Sequence, residues 1–233
     1  FVLAIGLLIV FFEARTRIKL GLPFPHKTTW LNVLKVLPVV ILILIIGYMA
    51  TWYGWIASDN AYARQWAAAN PTDGLHFLPE FLRSLIHYHQ SAFDFHTNLH
   101  TKHSYQSNPW SWPLNLRPTS FYYEDYAQGV KGCDSSKCSE EVVALGNPLI
   151  WWAGTLAILH QVWRWFMKRD GRAMAIVTMF FFAWAPWLLF QERTVFSFYA
   201  IVMLPYMVLA LAQACGQILG PVVDSGKHRA TRA

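Results

Sequence analysis

The stretch 36–52 reads VLPVVILILIIGYMATW, and no charged side chain interrupts it. A surface helix of a globular domain confines its apolar residues to one stripe, whereas this run is apolar on every side. It meets instead the requirement for crossing hydrocarbon: about 20 mostly apolar residues whose backbone polar groups are all bonded within the helix. Tyr48, Trp52, Tyr53 and Trp55 gather at its exit, as aromatic rings do at a membrane interface. Further blocks run 148–166, 173–190 and 196–219. The composition, 55% hydrophobic and 16% aromatic against 14% charged, belongs to a polytopic membrane protein.

The opening run, 1–12, lacks an initiator methionine and is too short to span, so it reads as the end of a truncated transmembrane helix. A signal peptide would want basic residues ahead of it and a small-residue cleavage site behind. Lysine and arginine in short loops mark the cytoplasmic side. Arg15, Arg17, Lys19 and Lys27, then Lys168, Arg169 and Arg172, then Lys227, Arg229 and Arg232 all fall on one side if five helices are counted. The expected architecture is an all-α, polytopic transmembrane helical bundle. Its helices cover 33–53, 148–166, 173–190 and 196–219, with cytoplasmic segments at 13–32, 167–172 and 220–233, an external loop at 54–147 and an external turn at 191–195. The net charge of +6 thus resides in membrane-flanking loops. It forms no patch of the kind that binds nucleic acid.

The external loop carries its own short elements. Ser58 or Asp59 is placed to cap a helix over 60–69, which should stop ahead of Asn70-Pro71 because a residue before proline avoids the α region. A second helix is expected over about 79–99, with a wide apolar cover from Phe81 to Phe95 that suits a membrane surface. Next comes H-S-Y-Q-S-N-P-W-S-W-P-L-N-L-R-P, 103–118, whose Pro109, Pro113 and Pro118 deny it a regular helix. The acidic-aromatic F-Y-Y-E-D-Y follows at 121–126, and the remainder to Asn147 reads as turn-rich and solvated. His96, His100 and His103 stand at i, i+4 and i+7, a helical spacing that brings ligands together. No carboxylate or cysteine completes such a site, and no metal is expected. A divalent cation is compatible with the sequence and unsupported by it. Cys133 and Cys138, with four residues between them, fit a small structural disulfide; a metal pair would want ligands closer than His103. Cys215 suits packing in the last helix.

Y-H-Q from Tyr88, the 103–118 run, and R-T-V-F-S-F-Y-A-I-V-M-L-P from Arg193 to Pro205 together resemble the C-terminal part of protein O-mannosyltransferases, the actinobacterial members in particular. The resemblance extends from the helix at Val36 to Leu219. It implies a GT-C glycosyltransferase that moves mannose, with inversion, from a polyprenyl-phosphate carrier to serine or threonine hydroxyls of secreted proteins at the outer face of the cell membrane. Such a donor needs guanidinium groups at the membrane surface, and Arg193 and Arg117 are the candidates for its phosphate. Tyr105, Trp110 and Trp112 suit a sugar-stacking wall, and His103 adjoins it; the plainer reading of the tryptophans is an interfacial belt. The family's catalytic acidic pair lies in a first external loop that has no counterpart here, so no base is assigned. Glu124, Asp125, Asp94 and Glu192 are formal alternatives. Two rival readings are a GT-C transferase with a lipid or glycan acceptor and a non-catalytic transport or structural subunit. For a transport path, only His160 and Arg164 are ionisable within the spans, and both lie toward one helix end.

Overall fold

A computed structural model describes residues 2–220. The expected tail at 220–233, with Lys227, Arg229 and Arg232, lies almost wholly outside them. The chain divides into two compact units, Glu13–Leu99 and Phe1–Phe12 with His100–Ala233.

Helix α1 covers Val2–Lys19 and α2 covers Lys27–Thr51. Short helices α3 (Tyr53–Ala57) and α4 (Trp66–Ala69) follow, then α5 (Glu80–Thr97). The helix expected over 60–69 is reduced to its last turn, because Ala63 takes a left-handed conformation with φ 57° and breaks the ladder ahead of it. Ser84 of α5 accepts the Ala67 amide of α4 at 3.0 Å. Buried Arg83 gathers the carbonyls of Asn70, Pro71 and Asp73 around one guanidinium nitrogen. Helix α5 ends at Thr97, where the Thr97 hydroxyl and the Asn98 side chain both bond the Asp94 carbonyl. His100 and His103 therefore lie beyond the helix, and the i, i+4, i+7 spacing with His96 does not become a shared helix face. Among the described residues, no three histidine, cysteine or acidic side chains gather to hold a metal.

The second unit departs from an all-α architecture. Strands β1 (Thr119–Ala127) and β2 (Lys137–Ala144) pair antiparallel, with Glu124 opposite Glu140 and Tyr126 opposite Cys138. The segment expected to be turn-rich is thus largely a hairpin. Aromatic residues in one strand and Val142-Val143 in the other favour the pleated backbone, and Gly129 and Gly132 supply the positive φ of the connection. A Cys133–Cys138 disulfide closes its loop.

Helix α6 (Pro148–Lys168) starts at Asn147, whose side chain accepts the Leu149 and Ile150 amides, with Pro148 in the first turn. Asp170 caps α7 (Gly171–Trp184) through the Arg172 and Ala173 amides. The cap does more, because Arg164 of α6 binds its other oxygen through Nε at 3.0 Å and Nη2 at 2.6 Å. Arg164 is therefore an ion-pair partner at the α6–α7 corner. Burial pulls the Asp170 carboxyl upward, but Arg164 and the two amides outweigh it and hold the group below its usual value.

At Ala185-Pro186 the chain passes from α7 into a 3₁₀ turn, 185–190, and a second one, 197–203, leads into α8 (Leu204–Leu219). Among the described residues, three helical stretches are long and apolar enough to cross a membrane: Thr29–Thr51, Gly171–Phe190 and Ser197–Leu219. Helix α6, at 21 residues, has the length but carries His160, Gln161, Arg164 and Lys168. The core joins Trp112 to Trp151, Ala157 and Ile158 of α6, Phe180 and Ala183 of α7, and Met203, Met207 and Ala210 around α8. Small residues permit the close α6–α8 approach: a Cβ on Gly154 would stand 2.9 Å from the Met207 Cβ.

Candidate functional site

The 103–118 run is built around a six-residue 3₁₀ helix, Pro109–Leu114. So short a 3₁₀ element leaves most of its carbonyls in need of further donors. Helices α6 and α7 provide them. Trp184 Nε1 donates to the Pro109 carbonyl at 2.8 Å, Trp151 Nε1 to Trp112 at 2.7 Å, Thr155 Oγ1 to Pro113 at 2.5 Å and Trp152 Nε1 to Leu114 at 3.0 Å. Three indoles and a hydroxyl thus grip four carbonyls of one turn. None of the four donors figured among the residues expected at the site. Their sequence signal was the Trp151, Trp152, Thr155 spacing, which turns three donors toward one end of α6.

The same stretch runs along the segment that carries Arg193. The Ser107 amide donates to the Val195 carbonyl at 2.9 Å, and the Thr194 hydroxyl donates to the Thr101 carbonyl. Asn108 Nδ2 donates to Gln191 Oε1 at 3.3 Å, and the His103 ring meets Phe196 edge to face with centroids 5.2 Å apart. Farther on, the Thr119 and Ser197 hydroxyls are 3.3 Å apart. The 103–118 run and the turn that leads into the second motif, 83 residues apart at Asn108 and Gln191, are therefore neighbours in space.

Each expected site residue has a definite place in this arrangement. Trp112 is fully buried, with its Nε1 on Ser107 Oγ at 2.9 Å and its ring against Trp187 and Tyr199. That places it in the core; it offers no face to a sugar, which corrects its expected role in the wall. Trp110 remains 57% exposed. His103 is exposed and its Nδ1 accepts the Tyr105 amide at 3.2 Å; Tyr105 is half-buried. Arg117 is exposed, in left-handed conformation with φ 57°, and one guanidinium nitrogen donates to the Ser104 carbonyl at 2.8 Å. Arg193 is half-buried, and its amide donates to the Phe190 carbonyl.

The hairpin carboxylates prove ill-suited to accept a proton from substrate. Glu124 is bonded by the Tyr122 hydroxyl and by Tyr126 Oη at 2.6 Å, with Lys131 at 3.6 Å, and these hold it below the usual carboxylate range. Burial and the Glu124 bond push the Tyr126 phenol up to about 12. Asp125 pairs with Lys137 at 2.6 Å, which also lowers it. A general base works best with a pKa near the operating pH, and both groups have moved away from it.

A family model described as the C-terminal four-transmembrane region of protein O-mannosyltransferase matches residues 81–219. The chain belongs to this family. That match contains both motifs of the candidate site and all three helices of its core. The polyprenol-phosphate-mannose–protein mannosyltransferase of Mycolicibacterium smegmatis is 32% identical over 225 residues, covering 94% of this chain and 43% of the relative. The Mycobacterium tuberculosis protein of the same name is 33% identical over 177 residues, covering 74% and 34%. The chain thus spans less than half the length of these relatives. The dolichyl-phosphate-mannose–protein mannosyltransferase 1 of Saccharomyces cerevisiae is 28% identical over 92 residues, covering 36% and 10%. Among solved structures, the chain is similar to the S. cerevisiae protein O-mannosyltransferase Pmt1-Pmt2 complex bound to the sugar donor, with a TM-score of 0.45 and 24% identity over 62% of this chain and 20% of that one.

Proposed function

We propose that this chain is the C-terminal part of a membrane mannosyltransferase that uses polyprenyl-phosphate-mannose as donor and serine or threonine hydroxyls of secreted proteins as acceptors. Family membership supports the reaction class. The observation that carries the site is the pairing of the 101–108 and 191–195 segments, the first of which also holds Arg117 through the Ser104 carbonyl. In this reading the loop 54–147 and the turn 191–195 face the outside of the cell membrane, where Arg193 and Arg117 bind the donor phosphate.

The reaction is a single displacement. The acceptor oxygen bonds to the anomeric carbon as the bond from that carbon to the phosphate oxygen breaks, and configuration inverts. Polyprenyl phosphate leaves with the electron pair, while the hydroxyl proton passes to a general base. The two arginines act on the leaving group, whose charge grows as the bond breaks. His103, Tyr105 and Trp110 form the wall on the sugar side.

The test uses the full-length protein in lipid nanodiscs with polyprenyl-phosphate-mannose and a threonine-containing peptide. Mannosyl peptide should form, and Arg193→Ala should lower kcat/KM roughly ten- to hundredfold, the worth of a hydrogen bond to a charged group. Transfer to a lipid or glycan alone would reject the acceptor class. Unchanged kinetics would remove Arg193 from the site.

A further inference from the structure

We infer that Asn108 and Trp184 are positioning residues that hold the exposed indole of Trp110 as a fixed stacking face for the donor's hexose, an inference that rests on the mannosyl-transfer reading above.

The Pro109–Trp110 peptide unit is held at both ends. Its carbonyl accepts Trp184 Nε1 at 2.8 Å, and its N–H donates to Asn108 Oδ1 at 3.2 Å. The second bond settles the Asn108 amide, since only its oxygen accepts from a backbone N–H. The Asn108 nitrogen must then face Gln191, to whose Oε1 it donates at 3.3 Å. Gln191 is fixed in turn, because its Nε2 donates to the Leu188 carbonyl at 3.0 Å. Asn108 thereby ties the Trp110 backbone to the turn that leads into Arg193, and the two proposed binding elements share one support.

The burial pattern shows what this support presents. Pro109, Ser111 and Trp112 are buried, while Trp110 between them is 57% exposed. Pro109 restricts φ at the head of the unit. An interfacial belt tryptophan needs depth in the bilayer and no clamp on its backbone. A ring that stacks on a sugar gains from being ordered beforehand, because binding then loses less conformational freedom. The apolar face of a hexose matches such a ring, with Arg193 in the adjoining segment for the phosphate.

The experiment measures, for the full-length protein in nanodiscs, the donor Kd by calorimetry, the donor KM and kcat with a threonine peptide, and exchange of the Trp110 amide. Trp184→Phe keeps an aromatic ring, smaller than the indole, and deletes the N–H. It should raise donor Kd and KM about tenfold with kcat within about twofold, the pattern of lost preorganisation. Asn108→Ala should do the same. Trp110→Ala should match Trp184→Phe, and the double variant should be no weaker than Trp110→Ala alone. Amide exchange at Trp110 should quicken in both Trp184→Phe and Asn108→Ala, and in Asn108→Ala with the melting temperature nearly unchanged. Wild-type donor affinity in Trp184→Phe and Asn108→Ala, or multiplicative losses in the double variant, would overturn the inference. If wild-type protein binds the donor but never mannosylates a peptide, the proposed acceptor falls, and the Kd and exchange data still decide the role of Asn108 and Trp184.

Discussion

The 3₁₀ turn at 109–114 and the hairpin at 119–144 follow one another in the chain and are held in opposite ways. The turn is secured from outside, by donors on α6 and α7 that lie 38 to 75 residues away in sequence. The hairpin is secured from within, by its ladder, a disulfide and a cluster of Tyr122, Glu124, Tyr126, Lys131 and Glu140 on its own two strands and loop. Phe121 against Phe198 is its aromatic link to the helical core, with centroids 5.5 Å apart. A region held by helices inherits their stability, whereas one held by local bonds can open alone.

That contrast can be broken experimentally. The largest effect should come from Trp112→Ala, which leaves a cavity where Trp187 and Tyr199 meet; a loss of about 3–5 kcal/mol is expected, seen as a lower melting temperature of the whole detergent-solubilised protein. Next, Asp170→Asn should cost about 2 kcal/mol at neutral pH by removing the cap charge and the Arg164 pair. The Asp170 carboxyl is depressed in the folded state, so its contribution is present above the usual carboxylate pKa and is lost as pH falls through the lower folded value. The wild-type and Asp170→Asn melting curves should therefore converge in acid; a constant gap would refute the role.

Smaller and local effects should mark the hairpin. Cys133→Ser with Cys138→Ser should loosen the 127–138 connection by roughly 2 kcal/mol on the loop-entropy estimate. Faster amide exchange there, with the global melting temperature unmoved, is the expected signature, and a global shift would show that the hairpin belongs to the core after all. Smallest of all, Tyr126→Phe removes one of the hydroxyls that hold Glu124 low, so that carboxyl should titrate closer to its ordinary value by NMR. Tyr122 remains to bond it, and the shift should be partial.

The features read from the sequence were those whose cause is local. An uninterrupted run such as 36–52 is apolar on all sides whatever surrounds it, and the Asn147-Pro148 start of α6 follows from capping chemistry alone. The 103–118 motif pointed to the family because its residue order is distinctive. Its internal assignment was out of reach. Trp110 and Trp112 stand two apart in one P-W-S-W-P phrase, and nothing within it says which ring turns inward. The strands at 119–127 and 137–144 were hidden too, since charged residues in both blur the alternation that marks a half-buried strand.

By itself, then, the sequence determined a membrane protein with apolar spanning helices and the identity of its family, because bilayer crossing and motif order depend on residues close together in the chain. Tertiary structure alone decided that Trp112 is core and Trp110 surface, that Arg164 answers Asp170, and that the turn before Arg193 meets Asn108. Each of these depends on where a distant donor or ring comes to rest when α6, α7 and α8 pack, and no local rule carries that information.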